Sequence, residues 1–435
     1  MRGCLQKLLI LFYVAFVARA EISAANLDTE NAQDQAQRLY SRFTGVSPSL
    51  STLQSLTTFL QNGQTAQAAF IAMNDVNFYK LTIKNLFNPL SNKAQTNDLA
   101  LNDFTATIVG LIINNQSFDQ VLYGDVIYTG LESLQTNPGL VRQPVDNFQD
   151  GKIRPLLVIP GAANPNTLFR DFFHYSDLER FSNWPNLLMA RRQSDIFALT
   201  QDSPLNAEDV SGLLTTRQWG LEFYSAGTNR RPVRYAFWGF LGKDLSQLHD
   251  ANVSDARVRQ DVDRLPGGNS QTFLNTCMGC HGNLDALAGA FAYIDFPSEI
   301  ITYRRTVQTK QFRQDTVFPS GYRLKDNTWL NFWSTGPNAN LGWRTDANTP
   351  SLTSGKGIKS FGRMLAATKA FSENMATKVF SRICLRAPSA AETNLLITIA
   401  RKFETGFPEY SNYSASGAYN MRALFAETSK LCFGK

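Results

Sequence analysis

The apolar positions of the chain recur with helical spacing along much of its length. Residues 36–63 predict two helices separated by a turn at Gly45 to Pro48. Apolar spacing continues through residues 66–87 and 99–113 and resumes at residues 361–403, where Ser389 to Glu392 fits a capping box. Strand-like character is limited to a short run at residues 154–159 and to short strands among the loops of residues 300–344. The pattern predicts a mainly α protein, with a helical N-terminal domain and a larger, helical and loop-rich domain.

Five consecutive residues carry the reactive side chains of the sequence. The run Cys277-Met278-Gly279-Cys280-His281 places two thiols three positions apart, with an imidazole directly after the second. This spacing attaches a c-type haem, because the thiols add to the two vinyl groups and the histidine binds the iron. We predict one covalent haem c, held by Cys277, Cys280 and His281.

Two other uses of a thiol pair stay open, a thioredoxin-like redox dithiol and one half of a zinc site. A zinc site needs two further ligands at similar spacing, and the chain offers only His174, His249 and two distant cysteines. A redox dithiol normally lies in an alternation of strands and helices, which the sequence around the motif lacks. Haem therefore accounts best for all three reactive side chains.

The first twenty residues indicate a secretory signal. They have a basic start, an apolar run at residues 8–17 and the small-residue ending Ala18-Arg19-Ala20. The apolar run is too short to span a bilayer. We expect a periplasmic or secreted protein, and an oxidising compartment in which Cys384 and Cys432 form a disulfide.

The charge balance and the apolar runs argue against a nucleic-acid-binding protein and against a membrane-anchored one. Lys and Arg number 42 against 36 Asp and Glu, and three of the basic residues belong to the signal, so the mature chain has 39 against 36, a balance of +3. Because the chain has no basic block and no later apolar run of membrane-spanning length, we expect no nucleic-acid partner and no transmembrane anchor in the mature chain.

A stretch rich in Gly, Pro and Asn between residues 128 and 166 marks a domain boundary. With the signal at residues 1–20, we predict a helical N-terminal domain at residues 21–150. A haem-motif domain follows at residues 151–354, and a C-terminal helical segment at residues 355–435 packs on it.

Arginines and aromatic residues are candidates for the surroundings of the haem. Arg230, Arg231 and Arg304 are expected to neutralise haem propionates, with a solvated basic turn as the alternative. The dense aromatic residues between positions 303 and 343 either wall the haem pocket or pack the domain. Asp285, one helical turn beyond His281, is expected to be an exposed carboxylate, with polarisation of a ligand–water network as the alternative.

The sixth ligand of the iron is predicted to be Met364, because a thioether from a helix after the motif is the arrangement in many small cytochromes c. Met375, His174 and His249 rank behind it, and an open or water-ligated iron stays close to them. Methionine at helical spacing also fits a packed core, so Met364 has an alternative role in packing.

The Gly212-Leu213-Leu214-Thr215 run, residues 230–234 ahead of an aromatic helix, and residues 284–295 after the motif resemble the haem-motif domain of planctomycete-type multidomain cytochromes. In that family the motif is followed by an apolar residue, Asp and Pro, and this chain has Ala286 in place of the proline. Residues 361–403 resemble the C-terminal helical domain of the same family. The resemblance covers about residues 205–435, and it implies a haem but no particular substrate.

These observations favour one-electron transfer through a single covalent haem, with a redox partner protein. Two alternatives stay open. One is a peroxidase-like or oxidase-like haem enzyme with an open iron, and the other is an envelope interaction protein whose haem is structural or sensory.

Overall fold

The computed structural model describes residues 31–131, 175–197, 206–297, 301–343 and 353–433. Helices make up 59% of the structure and strands 6%, which confirms the prediction of a mainly α protein. The predicted signal, the strand-like run at residues 154–159 and His174 lie outside the described residues. No helix in the described ranges combines the length and the hydropathy needed to cross a bilayer.

The N-terminal region begins with the predicted helical hairpin. It consists of α1 (Ala32–Thr44) and α2 (Leu50–Gln61), and α3 (Thr65–Met73) packs against both. The side chains of Asn31 and Ser49 accept backbone N–H groups in the first turns of α1 and α2. These N–H groups have no partner within the helix, so the two caps fix where each helix begins.

The chain then reaches a deeply buried helix. A π-helical turn (Phe78–Ile83), α4 (Lys84–Phe87) and a 3-10 turn (Asn88–Ser91) lead to α5 (Asp103–Ile113), which is followed by α6 (Gln120–Tyr123). All residues of α5 except the last are buried, because its apolar side chains pack against neighbours on every side.

The central part of the chain is assembled from short elements, most of them under eight residues. The α-helices and strands are β1 (Ile127–Gly130), α7 (Tyr175–Leu178), β2 (Leu188–Arg191), α8 (Gln193–Phe197), α9 (Arg217–Phe223), α10 (Arg231–Ala236), α11 (Ser270–Thr272), α12 (Met278–Leu287), β3 (Ile294–Asp295), β4 (Thr302–Tyr303) and β5 (Thr328–Leu330). The 3-10 and π turns are Trp184–Leu187, Gly212–Thr215, Phe237–Leu241, Leu245–Gln247, Pro266–Gly268, Phe273–Cys277, Ala288–Phe291, Thr309–Phe312, Phe332–Ser334 and Gly336–Leu341.

The strands of the described residues form three antiparallel pairs. These are β1 with β2, β3 with β4, and β5 with β6 (Ser354–Lys356). In register, Ile127 pairs with Arg191, Ile294 with Tyr303, and Trp329 with Gly355. Helices rather than these short strands supply most of the core.

The C-terminal region returns to long helices. These are α13 (Gly357–Ala366), α14 (Lys369–Cys384), α15 (Ala390–Thr405) and α16 (Met421–Phe433), with a 3-10 turn at Pro408–Tyr413 before α16.

Met364 and Met375 lie on separate helices. The side chain of Thr368 accepts the backbone N–H of Phe371 and so starts α14 as a new helix. Met364 on α13 and Met375 on α14 therefore do not share the face of one continuous helix.

The hairpin of α14 and α15 repeats the hairpin of α1 and α2. In each, a left-handed residue ends the first helix, Gly45 at φ 74° and Leu385 at φ 54°. A serine that follows a proline then caps the second helix, and Ser389 forms the predicted capping box with Glu392. The buried residues at equivalent positions are Ala36 and Ala376, Leu39 and Val379, Tyr40 and Phe380, Phe43 and Ile383, and Leu56 and Leu396.

The two ends of the chain pack together. Helix α3 lies against α16, α1 lies against α14, and one continuous cluster of buried apolar residues runs from Ala36 to Phe433. Helix α13 contacts the central region at Ala288–Phe291. The C-terminal helices thus contact both the N-terminal helices and the central region, and the domain limits drawn from the sequence stay predictions.

The predicted disulfide between Cys384 and Cys432 is present. The two Cα atoms are 5.5 Å apart, so the bond ties the end of α14 to the end of α16. Two of the aromatic residues between positions 303 and 343 pack in the core. Trp329 donates to Ser360 Oγ at 2.8 Å, and the buried Trp333 ring packs edge to face on Phe237.

Candidate functional site

The thiols and the imidazole lie on a continuous helical stretch, residues 270–291, which we call the motif helix. Cys277, Cys280 and His281 occupy positions i, i+3 and i+4, so their side chains share one face. Both cysteines are free and partly exposed, and the His281 side chain is 29% exposed. Leu274, one turn earlier, is an exposed apolar residue. The reactive face of the helix is therefore open to solvent.

The opposite face of the motif helix is packed against protein. Met278 belongs to a small apolar cluster with Val258, Val262 and Phe273, separate from the main core. At Gly279, a Cβ atom would lie 2.1 Å from His249 Nε2, so only glycine allows the imidazole to pack this close. His249 is therefore a neighbour of the motif on the side turned away from the cysteines and His281.

Asp285 joins the motif helix to a buried ionic network. Its Oδ1 atom lies 3.2 Å from His281 Nδ1, and its two oxygens accept from Arg230 Nε and Nη2 at 2.5 and 2.9 Å. The backbone N–H of Arg259 also donates to Asp285 Oδ2, at 2.9 Å. The expectation of an exposed carboxylate was wrong, because Asp285 is 1% exposed. An arginine distant in sequence made its burial possible.

Arg230 is fully engaged in this network. Its Nη1 and Nη2 atoms also donate to Asp261, at 2.6 and 2.7 Å, and Nη1 donates to Thr228 Oγ1 at 3.0 Å. All five N–H donors of the guanidinium thus point at protein acceptors. We call Arg230, Asp261 and Asp285 the carboxylate–arginine network. Contact of Arg230 with a haem propionate stays a prediction, and it requires one of these bonds to break.

The network sets the charge of Asp285. Burial alone raises the pKa of a carboxyl group, but the positive charge of Arg230 and the hydrogen bonds from His281 and Arg230 outweigh it. The pKa of Asp285 is therefore well below its usual range, and Asp285 is ionised. Because an ionised carboxylate only accepts hydrogen bonds, His281 carries its proton on Nδ1. Its Nε2 atom then has a lone pair that can bind a metal.

A second buried arginine lies beside the network. The pKa of Arg259 is lowered to about 10, and burial is the largest cause. The charge of Arg230 also lowers it, and the charge of Asp285 partly offsets both effects. The Nη1 atom of Arg259 donates to Thr228 O at 2.9 Å and to Gln311 Oε1 at 3.0 Å. Sequence reasoning missed Arg259 and Asp261. Only Asp285 carried a signal, a carboxylate one turn after a candidate metal-binding histidine, where an outer partner is common.

The structure bears differently on the two alternatives to haem. Burial, together with the charges of Asp244 and Cys277, raises the pKa of the Cys280 thiol. The attacking thiol of a redox dithiol is the first cysteine of the pair, so this shift leaves the dithiol alternative open. In the described ranges, no group of three or more His, Cys, Asp or Glu side chains is placed to hold a metal ion. A preassembled zinc site of the usual four ligands is thus not present in that part of the chain.

The other predicted site residues make contacts with other parts of the chain. Arg231 donates to the backbone oxygen of Glu222 at 3.4 Å, and Arg304 is exposed beside β4, beyond the C-terminal end of the motif helix. Met364 is 1% exposed, and its sulfur accepts from Asn331 Nδ2 at 3.5 Å.

Met375 is fully buried in α14. The roles of Met364 and Met375 as iron ligands stay predictions, and His174 lies outside the described part of the chain.

Comparisons of the chain with protein-family models, with curated proteins and with solved structures found no match. The assignment of function therefore depends on the site itself.

Proposed function

We propose that the chain is an exported monohaem c-type cytochrome that transfers single electrons through a covalently bound haem to a redox partner protein. Cys277 and Cys280 would hold the porphyrin as thioethers, and His281 would bind the iron through Nε2. The haem would supply a one-electron couple at the protein surface. A periplasmic or secreted location and the resemblance to planctomycete-type cytochromes belong to the same proposal.

One observation carries this proposal. Three side chains of the right chemistry occupy one accessible helix face, with both sulfurs unbridged and with His281 Nδ1 occupied by Asp285. The residues present therefore fit a c-type haem, since neither sulfur is in a disulfide and the hydrogen bond at Nδ1 leaves the Nε2 lone pair for the iron. Because the face is open to solvent, one edge of the bound group would be within reach of a partner protein.

The experiment is expression with its signal sequence in a periplasm that contains the c-type haem maturation proteins. We expect the purified, denatured chain to retain the mass of one haem and the absorption of a haem bound by two thioethers. The variant Cys277→Ala with Cys280→Ala should lose the covalent haem. The matched control, Cys384→Ser with Cys432→Ser, removes two cysteines away from the motif and should retain it. A matured wild-type chain without covalent haem would refute the proposal.

The position of Met364 favours a second function, that of a haem enzyme with an open iron. The Met364 sulfur already contacts Asn331 in the core, and the helix that carries it packs near Ala288–Phe291 rather than beside His281. An iron without a protein ligand opposite His281 would bind small molecules and support peroxidase-like or oxidase-like chemistry. Carbon monoxide distinguishes the two functions, because immediate binding to the ferrous protein indicates an open site.

A further inference from the structure

The carboxylate–arginine network restrains the imidazole of His281 at its Nδ1 atom. Asp285 is one helical turn from His281, so the helix itself sets the separation of the two side chains. Arg230 and the backbone N–H of Arg259 donate hydrogen bonds to the remaining lone pairs of the carboxylate. Asp261 holds the other edge of the guanidinium. Asp285 therefore cannot rotate away from His281 without breaking several charge-assisted hydrogen bonds.

We infer that Asp285 is a positioning residue for His281, which fixes its tautomer and ring orientation and makes Nε2 a stronger donor to iron. The inference rests on the proposed haem. A carboxylate that accepts from the distant nitrogen of a metal-binding histidine raises the basicity of the nitrogen that binds the metal. A more basic ligand stabilises ferric iron over ferrous iron, so Asp285 lowers the reduction potential of the haem.

Arg230 acts in the opposite direction. Its positive charge draws electron density from Asp285 and so limits how strongly the carboxylate pulls on the His281 proton. Removal of Asp285 should therefore raise the reduction potential, and removal of Arg230 should lower it. The direct effect of the two charges on the iron has the same signs, so a readout of the iron–histidine bond must accompany the potential.

The test compares Asp285→Asn with Asp244→Asn in the haem-loaded protein. Asp244 is a suitable control, because it is close enough for its charge to raise the pKa of Cys280 and its carboxylate is bound by Arg234. Asp285→Asn should change the ferric-to-ferrous equilibrium about tenfold toward ferrous iron, equivalent to about 59 mV for one electron. Asp244→Asn should change it much less.

The iron–histidine stretching frequency, measured by resonance Raman spectroscopy after photolysis of the carbon monoxide complex, provides the second readout. It should fall in Asp285→Asn and stay unchanged in Asp244→Asn, since only the first change weakens the ligand itself. Equal shifts of potential in both variants, with an unchanged stretching frequency, would overturn the inference and leave the proposed haem intact. If Asp285→Asn does not fold, Asp285→Glu decides, because it keeps a carboxylate beside Arg230 but displaces it from His281 Nδ1 by one methylene group. A stretching frequency equal to that of the wild type would then contradict the inference. A chain that attaches no haem refutes the proposed function itself.

Discussion

The terminal hairpins and the motif helix bury different kinds of side chain. In the hairpins, equivalent apolar residues such as Phe43 and Ile383 fill the core, and serines cap the second helix of each hairpin. Around the motif helix, Asp285 and Arg259 are almost wholly buried, and Asp285 is held by Arg230. Apolar packing tolerates substitution of similar volume, whereas a buried ion pair depends on every partner. The difference indicates that the motif region is built to hold particular polar atoms in place.

The largest effect on stability is expected from Arg230→Leu. It leaves Asp285 and Asp261 buried without their cation, which costs on the order of 3 to 5 kcal/mol in the free energy of unfolding. Chemical denaturation measures this change. The control is Arg234→Leu, which removes an arginine from a more exposed pair with Asp244 and should cost about 1 kcal/mol or less. Similar losses in the two variants would contradict the view that burial makes the motif network sensitive.

Removal of the disulfide tests the terminal helices, the other region of the comparison. Cys384 and Cys432 are 48 residues apart, and opening a loop of this length costs roughly 4 kcal/mol in the chain-entropy estimate. We expect the Cys384→Ser, Cys432→Ser variant to lose about that much stability and to keep its haem. A loss of haem attachment in this variant would show that the two regions do not act independently.

Met364→Leu separates packing from iron binding. Leucine keeps the volume of the side chain, so a core role predicts a loss below about 1.5 kcal/mol and an unchanged haem spectrum. A ligand role predicts loss of the weak thioether-to-iron absorption and a lower reduction potential. Met375→Leu, in the neighbouring helix α14, is the matched control. The contact of Met364 with Asn331 favours the first outcome.

The smallest effect is expected at the turn that the two hairpins share. Leu385 adopts φ 54° and is 60% exposed, whereas the equivalent Gly45 adopts a similar conformation without a side chain. Leu385→Gly should relieve left-handed strain and raise stability by about 0.5 kcal/mol, after the entropy cost of glycine in the unfolded chain. Thermal unfolding measures the gain. Gly45→Ala should destabilise the protein, and the opposite signs would establish that both turns have the same geometry.

The sequence by itself determined the elements that depend on local order. Helical spacing predicted the first hairpin, the Ser389 capping box followed from residues three apart, and compartment chemistry predicted the Cys384–Cys432 disulfide. The motif itself is equally local, because Cys277, Cys280 and His281 need only one turn of helix to share a face. Such features depend on neighbours within a few residues, or on the small number of cysteines in the chain.

Only the tertiary structure decided which polar side chains surround the motif. Arg230 reaches Asp285 across 55 residues, and His249 packs on Gly279 across 30. No periodicity encodes such pairs, because a buried charge is stable only where the fold brings its partner within hydrogen-bonding distance. For the same reason Asp285 was predicted from the sequence to be exposed, whereas it is buried in the structure. The chemistry of the motif was readable from five residues, while the environment that tunes it depended on the whole fold.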